Sequence, residues 1–494
     1  MLFNSYEFLF LFLPITWLGF EMLRRYGLRR LASLWLVVAS GVFYASWNPR
    51  ILLILIASIL VNFAIGRALA DGAAAHGRGR RDLLILGLAF NLGLLGYFKY
   101  ANFFADNVAA AFGWDYVMAR IVLPIGISFF TFQKVAFLID SCYGKAGRVD
   151  FLEFCLFVMF FPQLIAGPIV HYSEVMPHFA RPTREPATAR LAVGLTFLGV
   201  GLRKKVGLAD TVAIHANSLF DGVAQGHQPA LIESWAGTLS YAFQIYFDFS
   251  GYSDMAIGLG WMFGIRLPVN FASPYKATSI TEFWQRWHIT LSRFLKAYLY
   301  LPLGGNRRGR ARHYLNLFAT MLLGGLWHGA AWTFVLWGAL HGGLLVVHRL
   351  WRGKDRTPAL RIPPWLARPL TFVCIVLAWV PFRAPDIGAA GAIYRGMFGL
   401  GGIALSGSTP PPLQAIVWLA LLLGAVWFFP NTHQWMGRMS PGLPTDGYPA
   451  TSIASAPRWL AWRPGIAYGL ALAAALSVCV VKLNDISPFI YFQF

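Results

Sequence analysis

Apolar stretches alternate with short polar stretches along almost the whole chain. A helix that crosses a bilayer needs roughly 20 mainly apolar residues, and about eleven to thirteen segments approach this pattern. They begin near residues 8, 31, 51, 83, 121, 151, 191, 231, 315, 370, 416 and 466. No sizeable polar domain separates them, and no internal repeat or inverted pair of halves is evident. The pattern predicts an all-α polytopic membrane protein that forms a single integrated domain over residues 1–494.

The polar residues within these apolar segments are unevenly distributed. Residues 1–104 and 366–494 are plain apolar spans, whereas residues 120–345 are dense in Pro, Gly, aromatic and ionisable residues. At membrane depth each polar group needs a partner or a wet cavity. The sequence therefore predicts a functional core at about 120–345 and a scaffold role for 1–104.

Composition supports membrane insertion and changes how the charge is interpreted. Hydrophobic residues make up 57% of the 494 residues and charged residues 13%, with a mean hydropathy of +0.56, which is too apolar for an ordinary soluble protein. The net charge of +20 comes from basic clusters between apolar runs, at 24–30, 76–82, 203–205, 304–313 and 348–356. Such clusters predict cytoplasmic loops and an N-terminus outside, rather than nucleic-acid binding.

Two further features narrow the class of protein. The first apolar segment follows Glu7 with no basic residue before it and no small-residue cleavage site after it, so we expect a membrane helix rather than a signal peptide. The four cysteines show no CxxC pair and no Cys/His spacing suited to zinc. We therefore expect neither a disulfide framework nor a metal site.

A polar cluster lies within the apolar segment 241–265. Asp248 and Asp254 stand six positions apart, whereas neighbours on one helix face are three or four residues apart. Their partners must therefore come from other helices. A structural role, bonding to backbone or to an Arg of another helix, and a role in lining an active cavity both remain open.

A second cluster is "TEFWQRWHITLSRFLKAYLYLPLGGNRRG" (281–309). As one helix it would carry Trp284, His288, Leu291 and Leu295 on one stripe and basic residues on the opposite face. An amphipathic helix of this kind is expected to lie at the cytoplasmic interface or dip into the membrane. Pro302 and the pair at 304–305 are expected to end it.

A third cluster is "GGLWHGAAWTFVLWGALHG" (324–342), which places His328 in an apolar run. From residue 314 to 351 a single helix would be roughly 55 Å long, nearly twice the ~30 Å hydrocarbon core. The sequence predicts a hairpin or two broken segments, with breaks at Gly324, Gly325 or Gly329. His328 would then lie beside a discontinuity inside the membrane, where an imidazole is a candidate general base. We expect structural roles for the other histidines considered, which are His76, His227, His341, His348 and His433.

The second and third clusters together resemble the membrane-bound O-acyltransferase family, in its bacterial branch of alginate O-acetylase membrane subunits and D-alanyl transfer proteins of teichoic acid synthesis. Other stretches agree in the same order: "FNSYEFLFLFLP", "PIGISFFTFQ" (124–133), "FFPQLIAGPIVHYSEVMPHF" (160–179) and "FDFSGYSDMAIGLGWMFGIRLPVNF" (247–271). The resemblance runs from the N-terminus to about residue 345.

The resemblance implies a fold and an activity. The fold would be a ring of about 11 transmembrane helices with re-entrant or broken helices around a central catalytic tunnel. His328 would be the catalytic residue and His288 a second functional histidine. Acetyl-CoA would be the cytoplasmic donor, with no permanently bound cofactor. The acceptor would be an exported polysaccharide such as alginate, reached from the bacterial inner membrane through a periplasmic partner of the SGNH type.

Acyl transfer from a thioester to a hydroxyl needs a base and donors that stabilise the oxyanion. We expect His328 to be that base and His288 to orient the acceptor or to hydrogen-bond near the donor carbonyl. Further candidates for tunnel or supporting positions are Trp327, Trp332, Asp254, Tyr252 and Gln163.

Three other functions remain open at this stage. A transporter or channel would also use intramembrane His and Asp, although inverted repeats are absent. A carrier-protein thioester could replace acetyl-CoA, as in the D-alanyl branch. A scaffold for a synthase complex would tolerate the loss of both histidines.

Overall fold

The computed structural model describes residues 1–71, 78–147, 149–180, 185–353, 362–403, 413–439, 456–457, 461–484 and 487–490. His76 lies outside these ranges, as do parts of the basic clusters 76–82 and 348–356.

The described chain is built from helices. They are α1 (Leu13–Arg25), α2 (Arg29–Ala45), α3 (Pro49–Asp71), α4 (Arg78–Leu95), α5 (Ala101–Phe112), α6 (Ile127–Cys142), α7 (Phe151–Met159), α8 (Phe161–Leu164), α9 (Tyr172–Ala180), α10 (Ala187–Leu202), α11 (Asp210–Ala224), α12 (Leu231–Met262), α13 (Ile280–Trp284), α14 (Ile289–Leu295), α15 (Arg310–His328), α16 (Trp332–Arg352), α17 (Pro364–Arg383), α18 (Ile387–Met397), α19 (Leu413–Phe428), α20 (Thr432–Trp435) and α21 (Ile466–Val481). Turns of π-helix cover Glu7–Phe12, Gly96–Tyr100, Arg203–Ala209 and Lys296–Tyr300, and 3₁₀ turns cover Pro274–Lys276, Gly437–Met439 and Lys482–Asn484.

Helix α12 is the central element of the fold. Every residue from Tyr241 to Met262 is buried. The buried apolar residues of the structure form two large clusters, and the helix contributes residues to both of them. Residues 241–249 belong to the same cluster as residues of α11 and α16–α18, while residues 252–262 belong to the same cluster as residues of α1–α3 and α6–α8. The helix ends at Met262, and Gly264 two residues later has a φ of +78°, which suits a glycine after a helix end. Polar groups on α12 are thus enclosed by other helices.

Several helices are long and apolar enough to cross a bilayer. Within the described residues these are Pro49–Asp71, Gly79–Phe112, Trp332–Arg352 and Pro364–Arg383, accompanied by the shorter apolar helices Gln414–Phe428 and Ile466–Val481. The chain is an all-α polytopic membrane protein, as predicted. The predicted total of about 11 spans is not established, because the other segments are shorter or interrupted.

Residues 310–352 form a helical hairpin. Helix α15 ends at His328 and α16 begins at Trp332, so the predicted break is confirmed and lies at Gly329. Gly324 and Gly325 lie inside α15 and are not breaks. A Cβ atom on Gly325 would lie 2.3 Å from the Phe334 carbonyl oxygen and 3.0 Å from the Gly338 Cα. Gly325 therefore permits the close approach of the two helix backbones.

Gly325→Ala is expected to destabilise the folded protein by about 1–3 kcal/mol, because the added methyl group meets backbone atoms. Gly343→Ala on α16 is the matched control, since a Cβ there has no atom within 4 Å. It is expected to be neutral or to stabilise by up to about 1 kcal/mol. Denaturant titration of both variants in detergent measures the difference. Equal stability of the two variants would contradict the packing argument.

Candidate active site

The break in the α15–α16 hairpin places His328 at a buried helix end. Its residue is 4% exposed. Three aromatic rings surround the imidazole, with centroid distances of 4.9 Å to Trp327, 5.0 Å to Trp337 and 5.1 Å to Phe382. All three rings meet it edge to face, at 71° to 86°. The aromatic walls fix the orientation of the imidazole.

His288 lies at a second discontinuity. The single helix predicted for 281–309 is wrong, because α13 ends at Trp284 and α14 begins at Ile289. His288 precedes α14 with a φ of +43°, in the left-handed region that a non-glycine residue rarely adopts. Neither short helix is long enough to cross a bilayer. The predicted end of this segment is confirmed by a turn with positive φ at both Gly304 and Gly305.

Asn270 explains how His288 is held. Its Oδ1 lies 3.1 Å from His288 Nδ1 and accepts hydrogen bonds from the Thr290 backbone N–H at 3.3 Å and hydroxyl at 2.9 Å. The backbone N–H can only donate, so it fixes Oδ1 as the facing amide atom. Nδ1 of His288 therefore carries the proton in this contact. In the neutral imidazole, Nε2 is then the acceptor nitrogen.

The Trp327 ring connects the two histidines. Its centroid lies 4.9 Å from that of His328 and 6.4 Å from that of His288. Phe132 stacks on the same indole at 5.0 Å with an interplanar angle of 19°, and Trp327 is 5% exposed. The predicted pair of histidines is thus brought into one aromatic site by residues from α6, α14 and α15.

The end of α15 is held by neighbouring residues of the helix Gly79–Phe112. Lys99 Nζ donates to the carbonyl oxygens of Trp327 at 2.6 Å and His328 at 2.9 Å. The Tyr100 hydroxyl donates to the carbonyl oxygen of Leu326 at 2.8 Å. Residues 1–104, which were predicted to be scaffold, thus contribute structural contacts to the end of the helix that carries His328. Contacts to the histidine site also extend past residue 345, because Phe382 belongs to α17.

The other predicted tunnel residues lie outside the described contacts of the two histidines. Trp332 is 58% exposed, and its Nε1 donates to Asn107 Oδ1 at 2.8 Å. Gln163 is buried and donates from Nε2 to the Phe157 carbonyl oxygen at 2.7 Å. Tyr252 is buried against the rings of Phe3 and Phe489.

Asp248 and Asp254 have their partners on the segment that follows α10. This agrees with their six-residue spacing, which predicted partners outside their own helix. Lys204 Nζ lies 2.7 Å from Asp254 Oδ2, and Lys205 Nζ lies 2.9 Å from Asp248 Oδ1. The prediction of a cytoplasmic loop at 203–205 was wrong. These residues lie in the π-helical turn Arg203–Ala209 between α10 and α11, and Lys205 is 2% exposed. Here lysine ammonium groups neutralise carboxylates buried in the helix bundle.

Two of the histidines that were predicted to have structural roles are buried and make polar contacts. His341 is fully buried, and its Nδ1 accepts from Trp284 Nε1 at 3.3 Å. His433 was predicted to lie in a loop, but it is 4% exposed in the short helix α20, with Nε2 3.5 Å from Asp254 Oδ1. Within the described ranges no group of three or more His, Cys, Asp or Glu side chains is arranged to hold a metal ion.

Sequence reasoning missed Lys99, Tyr100, Asn270 and Trp337. Lys99 had a usable signal, since it is a single charged residue in the apolar run "LGLLGYFKYANFF". Asn270 lay inside the quoted stretch 247–271 without being singled out. Trp337 gave no signal, because tryptophan in an apolar helix is ordinarily packing.

Comparison with known proteins identifies the family of this chain. Residues 124–383 match the model of the membrane-bound O-acyltransferase family. The chain is 45% identical to a peptidoglycan O-acetyltransferase of Helicobacter pylori, over 82% of this chain and 81% of that protein. It is 39% identical to a probable alginate O-acetylase of Pseudomonas aeruginosa, over the full length of both. A teichoic acid D-alanyltransferase of Streptococcus thermophilus is 27% identical, over 47% of this chain and 58% of that protein.

These matches set aside the transporter and scaffold alternatives, because the family catalyses acyl transfer. The chain belongs to the membrane-bound O-acyltransferase family and is an O-acyltransferase.

Proposed function

We propose that this protein is an O-acetyltransferase of the bacterial inner membrane. It takes an acetyl group from cytoplasmic acetyl-CoA and passes it toward an exported polysaccharide, with alginate and peptidoglycan as the acceptors named for its relatives. A periplasmic partner of the SGNH type completes the transfer. The observation that carries the proposal is the placement of His328 at a buried helix end, joined to His288 through the Trp327 ring.

His328 acts as the general base in this proposal. Its imidazole removes the proton from the acceptor hydroxyl as the oxygen attacks the thioester carbonyl carbon. The new C–O bond forms, the C–S bond breaks, and the thiolate leaves with the electron pair of that bond. The imidazolium then returns the proton to the thiolate, so the side chain is regenerated. Direct transfer of this kind needs no acyl-enzyme intermediate.

His288 orients the acceptor. Because Nδ1 donates to Asn270, the neutral ring presents Nε2 as a hydrogen-bond acceptor. An acceptor nitrogen can receive a hydroxyl hydrogen bond, but it cannot stabilise a carbonyl oxygen. The tautomer therefore favours contact with the acceptor hydroxyl over contact with the donor carbonyl.

The choice of acetyl-CoA over a carrier-protein thioester follows the extent of similarity. The relative named for alginate matches over its full length, whereas the relative named for D-alanyl transfer matches over 58% of its length. An acetyl donor is accordingly the first to test.

The test supplies detergent-purified protein with radiolabelled acetyl-CoA, or with a carrier protein charged with labelled D-alanine. Candidate SGNH-type partners and either alginate or peptidoglycan fragments are then added. Label that moves from acetyl-CoA to one polysaccharide, and only with the protein present, supports the proposal. Transfer from the charged carrier alone would overturn the choice of donor. Absence of transfer from either thioester, with every partner tested, would overturn the proposed function.

A further inference from the structure

The C-terminal end of α15 creates an electrostatic problem. The last carbonyl groups of any helix have no partner within that helix, and here they lie inside a membrane protein where water does not satisfy them. The negative end of the helix dipole falls on the same atoms. Three of these last carbonyls belong to Leu326, Trp327 and His328. A group that binds them therefore also restrains the His328 side chain.

Lys99 and Tyr100 meet this need from one π-helical turn, Gly96–Tyr100. Lys99 contributes an ammonium to two of the three carbonyls, and Tyr100 contributes a hydroxyl to the third. A cation at a helix C-terminus is favoured by the dipole. The Lys99 ammonium also lies 5.9 Å from the centroid of the Trp327 ring.

Lys99 also joins a separate motif to this site. Its ammonium donates to Ser128 Oγ at 3.3 Å. Ser128 lies in the first turn of α6 within the stretch "PIGISFFTFQ", and the same helix supplies Phe132, which stacks on Trp327. The three oxygens around the ammonium thus belong to α6 and α15.

The other side of the break is held by the same long helix. Asn107, two turns beyond Lys99, accepts the indole hydrogen bond of Trp332 at the start of α16. One helix therefore contacts the last residues before the break and the first residue after it.

We propose that Lys99 is a positioning residue for the acyl-transfer reaction, holding the His328 backbone and the Trp327 ring in their working orientation from outside the segment 124–383 that matches the family model. The inference rests on the proposed function, since it assigns catalysis to His328. Lys99 contacts backbone oxygens of the catalytic residue and makes no direct contact with the reacting groups in this role.

The test compares Lys99→Met, Lys99→Arg and Lys134→Met. Lys134 is the matched control because its buried ammonium, on α6, donates to Ser58 Oγ at 2.5 Å and lies 4.1 Å from the Phe130 ring centroid, apart from the histidines. Lys99→Met is expected to lower kcat by about a hundredfold, because a misplacement near 1 Å has this effect. KM for acetyl-CoA is expected to change by less than about twofold, since substrate binding is retained.

Lys99→Arg keeps a positive charge at this position. Its kcat is therefore expected to be at least about tenfold higher than that of Lys99→Met. Lys134→Met is expected to keep the kcat of the unsubstituted protein per folded molecule. A second readout needs no turnover: amide hydrogen exchange across residues 326–331 is expected to accelerate in Lys99→Met and to stay unchanged in Lys134→Met.

The contrary outcomes are distinct. A Lys99→Met protein with unchanged kcat and unchanged exchange would overturn the inference while the proposed function stands. Equal losses of kcat in Lys99→Met and Lys134→Met would also overturn it, because any buried lysine would then matter alike. An unsubstituted protein without acetyl transfer would contradict the proposed function, and the exchange measurement would still decide whether Lys99 holds the helix end.

Discussion

His328→Ala is expected to lower kcat for acetyl transfer by about 10²–10⁴-fold, the range contributed by a positioned general base. The loss is expected in kcat, with little change in KM, because the imidazole acts on the proton during the reaction. The substitution also removes a ring that packs against Trp327, Trp337 and Phe382. Kinetics must therefore be normalised to folded protein, measured by size-exclusion chromatography in detergent.

His313→Ala is the matched control for this variant. His313 lies on the same helix, α15, near its first residue, and its described ring contacts are with Tyr300 and Tyr314. This variant is expected to keep the kcat of the unsubstituted protein. A His328→Ala protein as active as His313→Ala would remove His328 from the chemistry.

Asp254→Asn is expected to lower the free energy of unfolding by about 1–3 kcal/mol, since it leaves the partly buried Lys204 ammonium without its carboxylate. The Asp254 side chain is 4% exposed and that of Lys204 14% exposed. The expected effect on kcat per folded molecule is small. This outcome would decide between the two roles that the sequence left open for Asp254, in favour of the structural one.

The double variant Lys204→Met/Asp254→Asn supplies the control. Removing both charges avoids the uncompensated ammonium, so most of the lost stability is expected to return. Thr432 and His433 also contact the Asp254 carboxylate, and both variants change these contacts in the same way. If the double variant recovers its stability but its kcat is well below that of the unsubstituted protein, Asp254 would instead belong to the active cavity.

The sequence was sufficient for features that follow from local rules. An apolar run too long for one crossing required a break, and the structure has it at Gly329. The six-residue spacing of Asp248 and Asp254 required partners from other elements, and Lys205 and Lys204 supply them. The helical class follows from the same apolar segments.

Features set by tertiary contacts could not be predicted in this way. The helical periodicity around His288 is present in the sequence, but His288 has a left-handed conformation that divides the helix. Its ring contacts Asn270, which also accepts a hydrogen bond from Thr290. The basic triplet at 203–205 has the composition of a cytoplasmic loop. Its two lysines are drawn inward because the close approach of α10 and α12 places them beside carboxylates. Lys99 reaches His328 across 229 positions of sequence, which no local pattern encodes.

The most direct test of the central claim uses inverted membrane vesicles, whose outer face is the cytoplasmic one. Vesicles would contain the protein or its His328→Ala variant at equal abundance, a candidate SGNH-type partner in the lumen, and enclosed polysaccharide. Radiolabelled acetyl-CoA is then added outside. We expect label on the enclosed polysaccharide with the unsubstituted protein, and at least about a hundredfold less label with His328→Ala. Equal labelling by both proteins would contradict the central claim.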